Sequence, residues 1–338
     1  MSIERWGEAI VLAAAERPNN GTMPYLKTTL SRYLIVGFVF LALGLNGCKE
    51  EKKLDSPSQG RITIAADESY EPLTVEITRT YELLYPRTKF DLVFKPEREA
   101  IRLMLEDKAR LCIVSRRLTA NEQRSLDNEK ITGSATLLAT DGVAIITSKA
   151  NFDSLMTMNE LRGVFNKQIN NWSQLKGGNQ SGPITLVFDN PNSSNLDHVM
   201  QRFGLKSVNG LSIYTAKSNK GVIDYVRTHP TAMGFIGVNW ISDGDGPVSA
   251  ALSKDIRVIG LSSKANPQIR DDYHQPFQRD LALKLYPLWR DVYMVSREAH
   301  PGLGGGLTNY LVRDSGRLLV EKLGLWPRVP YNREVQLK

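Results

Sequence analysis

The sequence predicts an α/β protein of two lobes, each with a mixed or parallel sheet flanked by helices. Strand-like and helix-like segments alternate along most of the chain, as in parallel strands joined by crossover helices. In addition, two long apolar strands at 139–148 and 286–296 enclose a second alternating unit. If the chain enters this unit through one strand and returns through the other, the two strands form a pair of hinges.

The first lobe begins with three strand–helix pairs. RITIAAD is a short apolar run, and the helical segment after it places Leu73, Ile77, Tyr81 and Leu84 on one face. The third helix has a Thr119 cap with Glu122 three positions later, which is a capping box. We predict strands at 61–67, 89–95 and 110–115, and helices at 72–86, 97–109 and 118–128.

The second lobe repeats the alternation. Its entry strand carries a continuous run of apolar residues, typical of a strand buried on both faces. We predict strands at 183–188, 232–241 and 255–261, and helices at 156–166, 195–203 and 220–230. A long C-terminal helix or helix pair follows at 306–324. The predicted lobes are therefore 61–140 plus 284–338, and 141–283.

Composition and motifs limit the possible functions. Of 338 residues, 41% are hydrophobic and 23% charged, which favours folded domains over disorder. The net charge of +7 suits an anionic ligand or an anionic membrane surface, but no basic block predicts nucleic-acid binding. The sequence lacks a Gly-x-Ser-x-Gly elbow, a phosphate-loop motif and metal-ligand spacing among its four histidines. We predict no enzyme, no catalytic residues, no metal and no cofactor.

The N-terminal region has the features of an export signal. Thirteen uncharged residues, Tyr33–Leu45, follow Lys27 and Arg32, a length that suits a signal peptide better than a membrane span. Leu-Asn-Gly-Cys then ends the apolar run and resembles a bacterial lipobox. We expect 1–47 to be a signal peptide, with 1–22 a misassigned start, and Cys48 to carry a lipid.

Residues 48–60 have the composition of a flexible tether between the lipid and the first lobe. The alternative interpretation of the N-terminal region is a signal anchor. The charged run after Cys48 resembles the surface-export signal of some bacterial lipoproteins, so we expect the protein in the cell envelope, facing the periplasm or the cell surface. Cys112 lies in an apolar run and is interpreted as a core thiol.

Polar junctions between strands and helices are the candidate binding positions. Open α/β sheets bind ligands beyond the carboxyl ends of their strands, where helix N-termini attract anions. Four junctions qualify: Asp67–Tyr70, Lys95–Arg98, Ser115–Arg117 and Asn192–Asn195. Helix capping alone would also explain each of them. Because all four fall at strand ends of the two predicted lobes, they favour a cleft between the lobes.

The order of these segments resembles the PstS-like phosphate-binding proteins of ABC phosphate importers, particularly their lipoprotein forms. The resemblance runs from about Arg61 to Val335 and rests on the segments RITIAADESYEPL, RLCIVSRRLT, DGVAIITS, the Asn-Ser-Ser-Asn junction, AMGFIGV, YPLWRDVYMVS and YLVRDSGRLLVEKLGLWP. It implies a type II periplasmic solute-binding fold and phosphate held without metal or cofactor.

The resemblance also implies a set of ligand-binding residues. Ser69 and Tyr70 fall where the family has a Ser/Thr–aromatic pair, and Ser193, Ser194 and Asn195 fall where it has Ser-Gly-Thr.

The remaining positions depart from the family pattern. A family Asp aligns with Arg116, which follows Ser115, and a family Arg aligns with Asp189, so the charges at these positions look exchanged. Pro96, Glu97 and Arg98 replace a Gly-rich loop.

The expected function is capture of phosphate or a similar oxyanion for ABC import. The expected partners are a transporter permease and the membrane that holds the lipid anchor, and the protein is expected to be a monomer. The alternative is a sensory or interaction lipoprotein of the same fold whose ligand has changed or been lost. A phosphatase is a third possibility, which the absence of a nucleophile–base set and of metal ligands argues against.

Overall fold

The computed structural model describes residues 54–241 and 254–329. The predicted signal peptide, Cys48 and the first part of the proposed tether, up to Lys53, lie outside the described residues. Within these ranges, the structure contains no helix that is both long and apolar enough to cross a membrane.

The first part of the chain alternates strands and helices as predicted. Its elements are β1 Gly60–Asp67, α1 Glu71–Leu84, β2 Thr88–Lys95, α2 Glu97–Leu105, β3 Leu111–Val114, α3 Ala120–Asn128 and β4 Ser134–Ser148. A 3₁₀ turn at Glu68–Tyr70 joins β1 to α1. The capping box at Thr119 and Glu122 opens α3.

The second part supplies a further alternating unit and the C-terminal helices. Its elements are β5 Leu155–Thr157, α4 Met158–Phe165, β6 Thr185–Phe188, α5 Ser194–Phe203, β7 Ile213–Thr215, α6 Asn219–Thr228, β8 Ala232–Gly237, β9 Ile256–Val258, β10 Gly260–Ser262, α7 Gln278–Ala282, β11 Trp289–Ser296, α8 Leu303–Leu311, α9 Asp314–Lys322 and β12 Trp326–Pro327.

One long strand, β4, belongs to both halves of the main sheet. The strand order is β2-β1-β3-β11-β4-β8-β6-β7, with β9 and β12 pairing additionally with β4. β1 is parallel to β2 and β3, and β6 is parallel to β7 and β8, whereas β4 and β11 are antiparallel to each other. The sheet is therefore mixed, with two parallel groups joined through the antiparallel pair β4 and β11.

Hydrophobic clusters divide the described chain into two lobes. Lobe 1 is built around two clusters whose residues lie within Ile62–Ala139 and Val292–Leu325. Lobe 2 is built around one cluster within Val143–Leu288. The fold class is the predicted α/β arrangement of two lobes joined by hinge strands. The predicted boundaries at residues 140 and 284 stay a prediction.

Several element limits differ from the predicted ones for local reasons. β11 begins at Trp289 and not at Tyr286, because Pro287 has no N–H to donate to a ladder. β4 begins at Ser134 and continues without interruption into lobe 2. The C-terminal segment forms two helices, which approach closely at Gly316, where a Cβ would clash with the backbone oxygen of Tyr310.

A substitution at Phe235 tests how much the hydrophobic core of lobe 2 contributes to stability. The Phe235 ring is fully buried, stacks on Phe188 with centroids 4.5 Å apart, and meets Phe165 edge-on. We expect Phe235→Ala to lower the free energy of unfolding by about 3–5 kcal/mol, because it removes buried surface and leaves a cavity. Leu83→Ala is the control, since Leu83 is 68% exposed. Equal urea midpoints for the two variants would contradict the proposed core.

Candidate functional site

Two serine hydroxyls from opposite lobes meet where β1 and α5 approach each other. Ser69 Oγ and Ser194 Oγ lie 3.1 Å apart, and both residues are buried. Asp67 Oδ1, at the end of β1, accepts hydrogen bonds from Ser194 Oγ and from Ser69 N, both at 2.8 Å. The predicted junctions Asp67–Tyr70 and Asn192–Asn195 therefore form one site between the lobes.

Lobe 2 also holds the backbone of this first junction. Asn239 Nδ2 and Trp240 Nε1 donate to Ser69 O at 2.9 and 3.1 Å. Gly237, at the end of β8, allows the close approach, because a Cβ there would lie 3.2 Å from Ser69 O and 2.9 Å from Asn239 Nδ2. Contacts from two segments of lobe 2, Gly237–Trp240 and the start of α5 at Ser194, thus converge on one turn of lobe 1.

An ion pair with almost no solvent exposure lies beneath the two serines. Arg290 on β11 and Asp141 on β4 are direct cross-strand partners, and Arg290 Nε donates to Asp141 Oδ2 at 2.9 Å. Arg290 Nη1 donates to Ser194 Oγ at 3.2 Å, and its guanidinium lies 5.0 Å from the centre of the Tyr70 ring. Burial lowers the pKa of Arg290, but neighbouring acidic groups outweigh this effect and keep the guanidinium charged.

The helices that begin at the site are not capped by their own side chains. Ser193 is the N-cap of α5 but makes no side-chain capping bond, and Tyr70 likewise precedes α1 without one. Asn195 Nδ2 contacts Asn219 Oδ1 at 3.3 Å and Phe235 O at 3.5 Å. Simple capping therefore does not account for the Asn-Ser-Ser-Asn run, and the positive ends of both helix dipoles face the site.

Several buried polar atoms of the site have unused hydrogen-bonding capacity. Among the described residues, no hydrogen-bond partner lies within reach of Arg290 Nη2, Tyr70 Oη, Asn195 Oδ1 or Asn239 Oδ1. Leaving such groups unpaired in a folded protein is costly, so each one requires an explanation. A polar ligand bound between the lobes provides one.

The site is also rich in carboxyl groups. Burial raises the pKa of Asp67, although Arg290 and the hydrogen bonds from Ser69 act in the opposite direction. Burial likewise raises the pKa of Asp189, which the Ser193 hydroxyl lowers in part. Burial and then the charges of Asp189 and Asp67 raise the pKa of Glu68 to about 7.

The other predicted residues of lobe 1 bind one another. Glu97 Oε1 accepts from both the N–H and the hydroxyl of Ser115 at 2.6 Å. Arg116 forms a two-point ion pair with Glu122 at 2.8 and 2.9 Å and lies 3.3 Å from Glu97. Glu97 begins α2, whereas Ser115 and Arg116 follow β3, so these groups meet beside the end of β3 with the Arg116 guanidinium already paired by carboxylates.

Arg98 lies at the rim of the cleft. Its guanidinium is 77% exposed and contacts Asp197 of α5 at 3.0 Å. It joins the two lobes at the surface, where such a pair contributes little stability.

Sequence reasoning missed the buried cation of the site. Arg290 and Asp141 each lie inside an apolar strand, and no helix cap marks either of them. The available signal was an acidic residue, Asp141, in one predicted hinge strand and a basic residue, Arg290, in the other. Among the described residues, no His, Cys, Asp and Glu group is arranged to hold a metal ion.

Comparison with known proteins gives one family match. Residues 52–315 match a family profile described as a PBP superfamily domain. The chain is similar to the phosphate-binding protein PstS 2 of Streptococcus pneumoniae, with 26% identity over 117 residues. That alignment covers 35% of this chain and only 38% of the relative.

Longer similarities support the same fold. The phosphate-binding protein PstS of Bacillus subtilis is 21% identical over 285 residues, which cover 82% of this chain and 86% of the relative. A solved structure from Clostridium perfringens, described as a phosphate ABC transporter substrate-binding protein with bound phosphate, superposes with a TM-score of 0.66. Its identity is 18%, with 80% of this chain and all of the other covered.

The buried ion pair makes a stability prediction. Asp141→Asn removes the charge that compensates Arg290, and we expect it to lower the free energy of unfolding by about 3–5 kcal/mol, because an uncompensated charge then remains buried. The matched control is Asp91→Asn, which breaks the exposed pair with Arg61 and should leave the denaturation midpoint unchanged. Equal midpoints for the two variants would contradict the role of the buried pair.

Proposed function

Because the chain belongs to the PBP superfamily, we propose that it is a solute-binding lipoprotein that captures phosphate or a similar oxyanion between its lobes for ABC import. The names of its relatives support the ligand class, since both similar PstS proteins are phosphate-binding proteins. These names do not favour the sensory alternative.

One observation carries the proposal, namely the buried guanidinium of Arg290 with an unpartnered Nη2 between the lobes. A planar guanidinium suits phosphate oxygens, which accept two parallel hydrogen bonds from it. The hydroxyls of Ser69 and Ser194 lie beside it, and two helix N-termini add partial positive charge. The cation expected at position 189 is thus supplied by Arg290, which lies on a hinge strand.

We assign the predicted residues to two roles. Ser69, Tyr70, Ser193, Ser194 and Asn195 would line the cleft and contact the anion. A second group, comprising Glu97, Ser115 and Arg116, would fix the loop after β3, with Arg98 at the rim.

Function would require no covalent chemistry. The lobes would close on the anion by bending β4 and β11, and a permease of an ABC importer would recognise the closed form. No metal or cofactor is needed in this mechanism, and a monomer suffices for it.

The anion site makes a binding prediction. We expect calorimetry to detect phosphate binding by the wild-type protein, and Ser194→Ala to raise the Kd by about tenfold or more, because a hydrogen bond to a charged group is lost. Ser125→Ala, on the exposed face of α3, is the control and should bind as the wild type does. Absence of heat with millimolar phosphate, arsenate or sulfate would refute the proposed ligand class.

We also propose a lipid anchor at Cys48, which supports localisation in the cell envelope. Cys48→Ser should move the protein from the membrane fraction to the soluble fraction, because the residue that would carry the lipid is lost. Cys112→Ala is the control, since this second cysteine is buried in the core and should leave fractionation unchanged. A membrane-bound Cys48→Ser protein would argue against the anchor, and protease added to intact cells distinguishes a periplasmic from a surface position.

A further inference from the structure

Two carboxyl groups from opposite lobes share one amide group at the cleft. Glu68 follows β1 in lobe 1, and Asp189 follows β6 in lobe 2. Asn190 Nδ2 donates to Glu68 Oε2 at 2.7 Å and to Asp189 Oδ2 at 3.0 Å. The two carboxyl groups therefore become neighbours only when the lobes are together.

The charge around this pair is predominantly negative. Asp67, Asp141 and Asp189 are almost completely buried, and the buried cation among them is Arg290. The charged and titratable groups of the surrounding elements are Asp67 at the end of β1, Lys95 at the end of β2, Glu97 on α2, Arg116 after β3, Asp141 on β4, His198 on α5 and Arg290 on β11.

Few of these groups reduce the excess negative charge near the pair. Burial lowers the pKa of His198 to about 3, so its ring is neutral. The Lys95 side chain is exposed, and Arg116 is paired with Glu122. An oxyanion entering this cleft would add further negative charge.

The same cleft contains buried polar atoms that a ligand would satisfy. Arg290 Nη2 and Asn195 Oδ1 are fully buried and have no partner among the described residues. An oxyanion would satisfy Arg290, and a ligand oxygen that carries a proton would satisfy an acceptor such as Asn195 Oδ1. The unpaired atoms thus suit an anion that still bears a proton.

We propose that the cleft closes on its oxyanion together with one proton, which is held by the facing carboxyl groups of Glu68 and Asp189. The inference rests on the proposed anion-binding function and specifies the charge state that the cleft accepts. Closure brings the two carboxyl groups and the anion together, and one proton taken from solvent removes one of the negative charges.

The direction of the pH dependence follows from the raised pKa of Glu68 in the closed form. In the closed form its pKa is raised from an ordinary value of 4.5 to about 7 by burial and by Asp189 and Asp67. At a pH below the ordinary pKa of 4.5, the Glu68 carboxyl group is protonated in both the open and the closed form, so closure takes up no proton. At a pH between the ordinary pKa of 4.5 and the raised pKa of about 7, closure takes up one proton. The affinity for the anion therefore falls as the pH rises, by up to about tenfold per pH unit.

Proton uptake is measured by calorimetry, with inorganic phosphate titrated into the full mature protein. The titration is repeated in two buffers with different ionisation enthalpies, and the difference between the observed heats gives the proton uptake. Between about pH 5 and pH 6 inorganic phosphate is predominantly a monoanion, so proton exchange by the ligand itself contributes little. We expect the wild type to take up a proton and its Kd to rise across this interval. Glu68→Gln and Asp189→Asn should both reduce the uptake and flatten the pH dependence.

A matched control and distinct outcomes make the test decisive. Glu76→Gln, on the exposed face of α1 in the same lobe, should retain the wild-type proton uptake. Phosphate binding without proton uptake, or uptake that persists in both Glu68→Gln and Asp189→Asn, overturns the inference and leaves the proposed function intact. Absence of phosphate binding by the wild-type protein overturns both.

Discussion

The ion pair between Arg290 and Asp141 is the interaction on which the organisation of the cleft depends. The two residues are direct partners on β11 and β4, the antiparallel strands that connect the lobes. Removing both charges from water is unfavourable, and their geometry together with the hydrogen bond to Ser194 offsets part of that cost. The pair therefore does more than join two strands, because it fixes a guanidinium at the point where lobe 2 meets lobe 1.

Ser194 transmits this arrangement to both lobes. Its hydroxyl accepts from Arg290 and donates to Asp67, while Ser69 Oγ lies 3.1 Å away. Ser194 is the first helical residue of α5, and its side chain is used across the cleft, so the start of α5 contacts the other lobe through this residue.

The parts of this site that sequence alone could predict follow from local rules. Turn-forming residues after apolar strands located the junctions at Asp67–Tyr70 and Asn192–Asn195, and parallel strand order predicted that such junctions share a sheet edge. The role of Arg290 depends instead on strand pairing across 149 positions, which no local pattern encodes. Arg116 is the opposite case, because its contacts are local in sequence. Glu122, which completes the capping box of α3, also binds the Arg116 guanidinium. A short-range ion pair therefore competes with a predicted ligand contact.

The apparent exchange of charges at positions 116 and 189 has a physical interpretation in the structure. An anion site needs a buried cation, but the cation can come from any element that reaches the cleft. In the proposed anion site Arg290 would supply this cation from β11, so a second guanidinium at position 189 would not be needed, and Asp189 instead contacts Asn190, which also binds Glu68 of the other lobe. Facing carboxyl groups repel each other when both are ionised, so they oppose closure unless one is neutralised. If the lobes close on an anion as proposed, the cation on β11 would favour closure and the ionised carboxyl pair would oppose it.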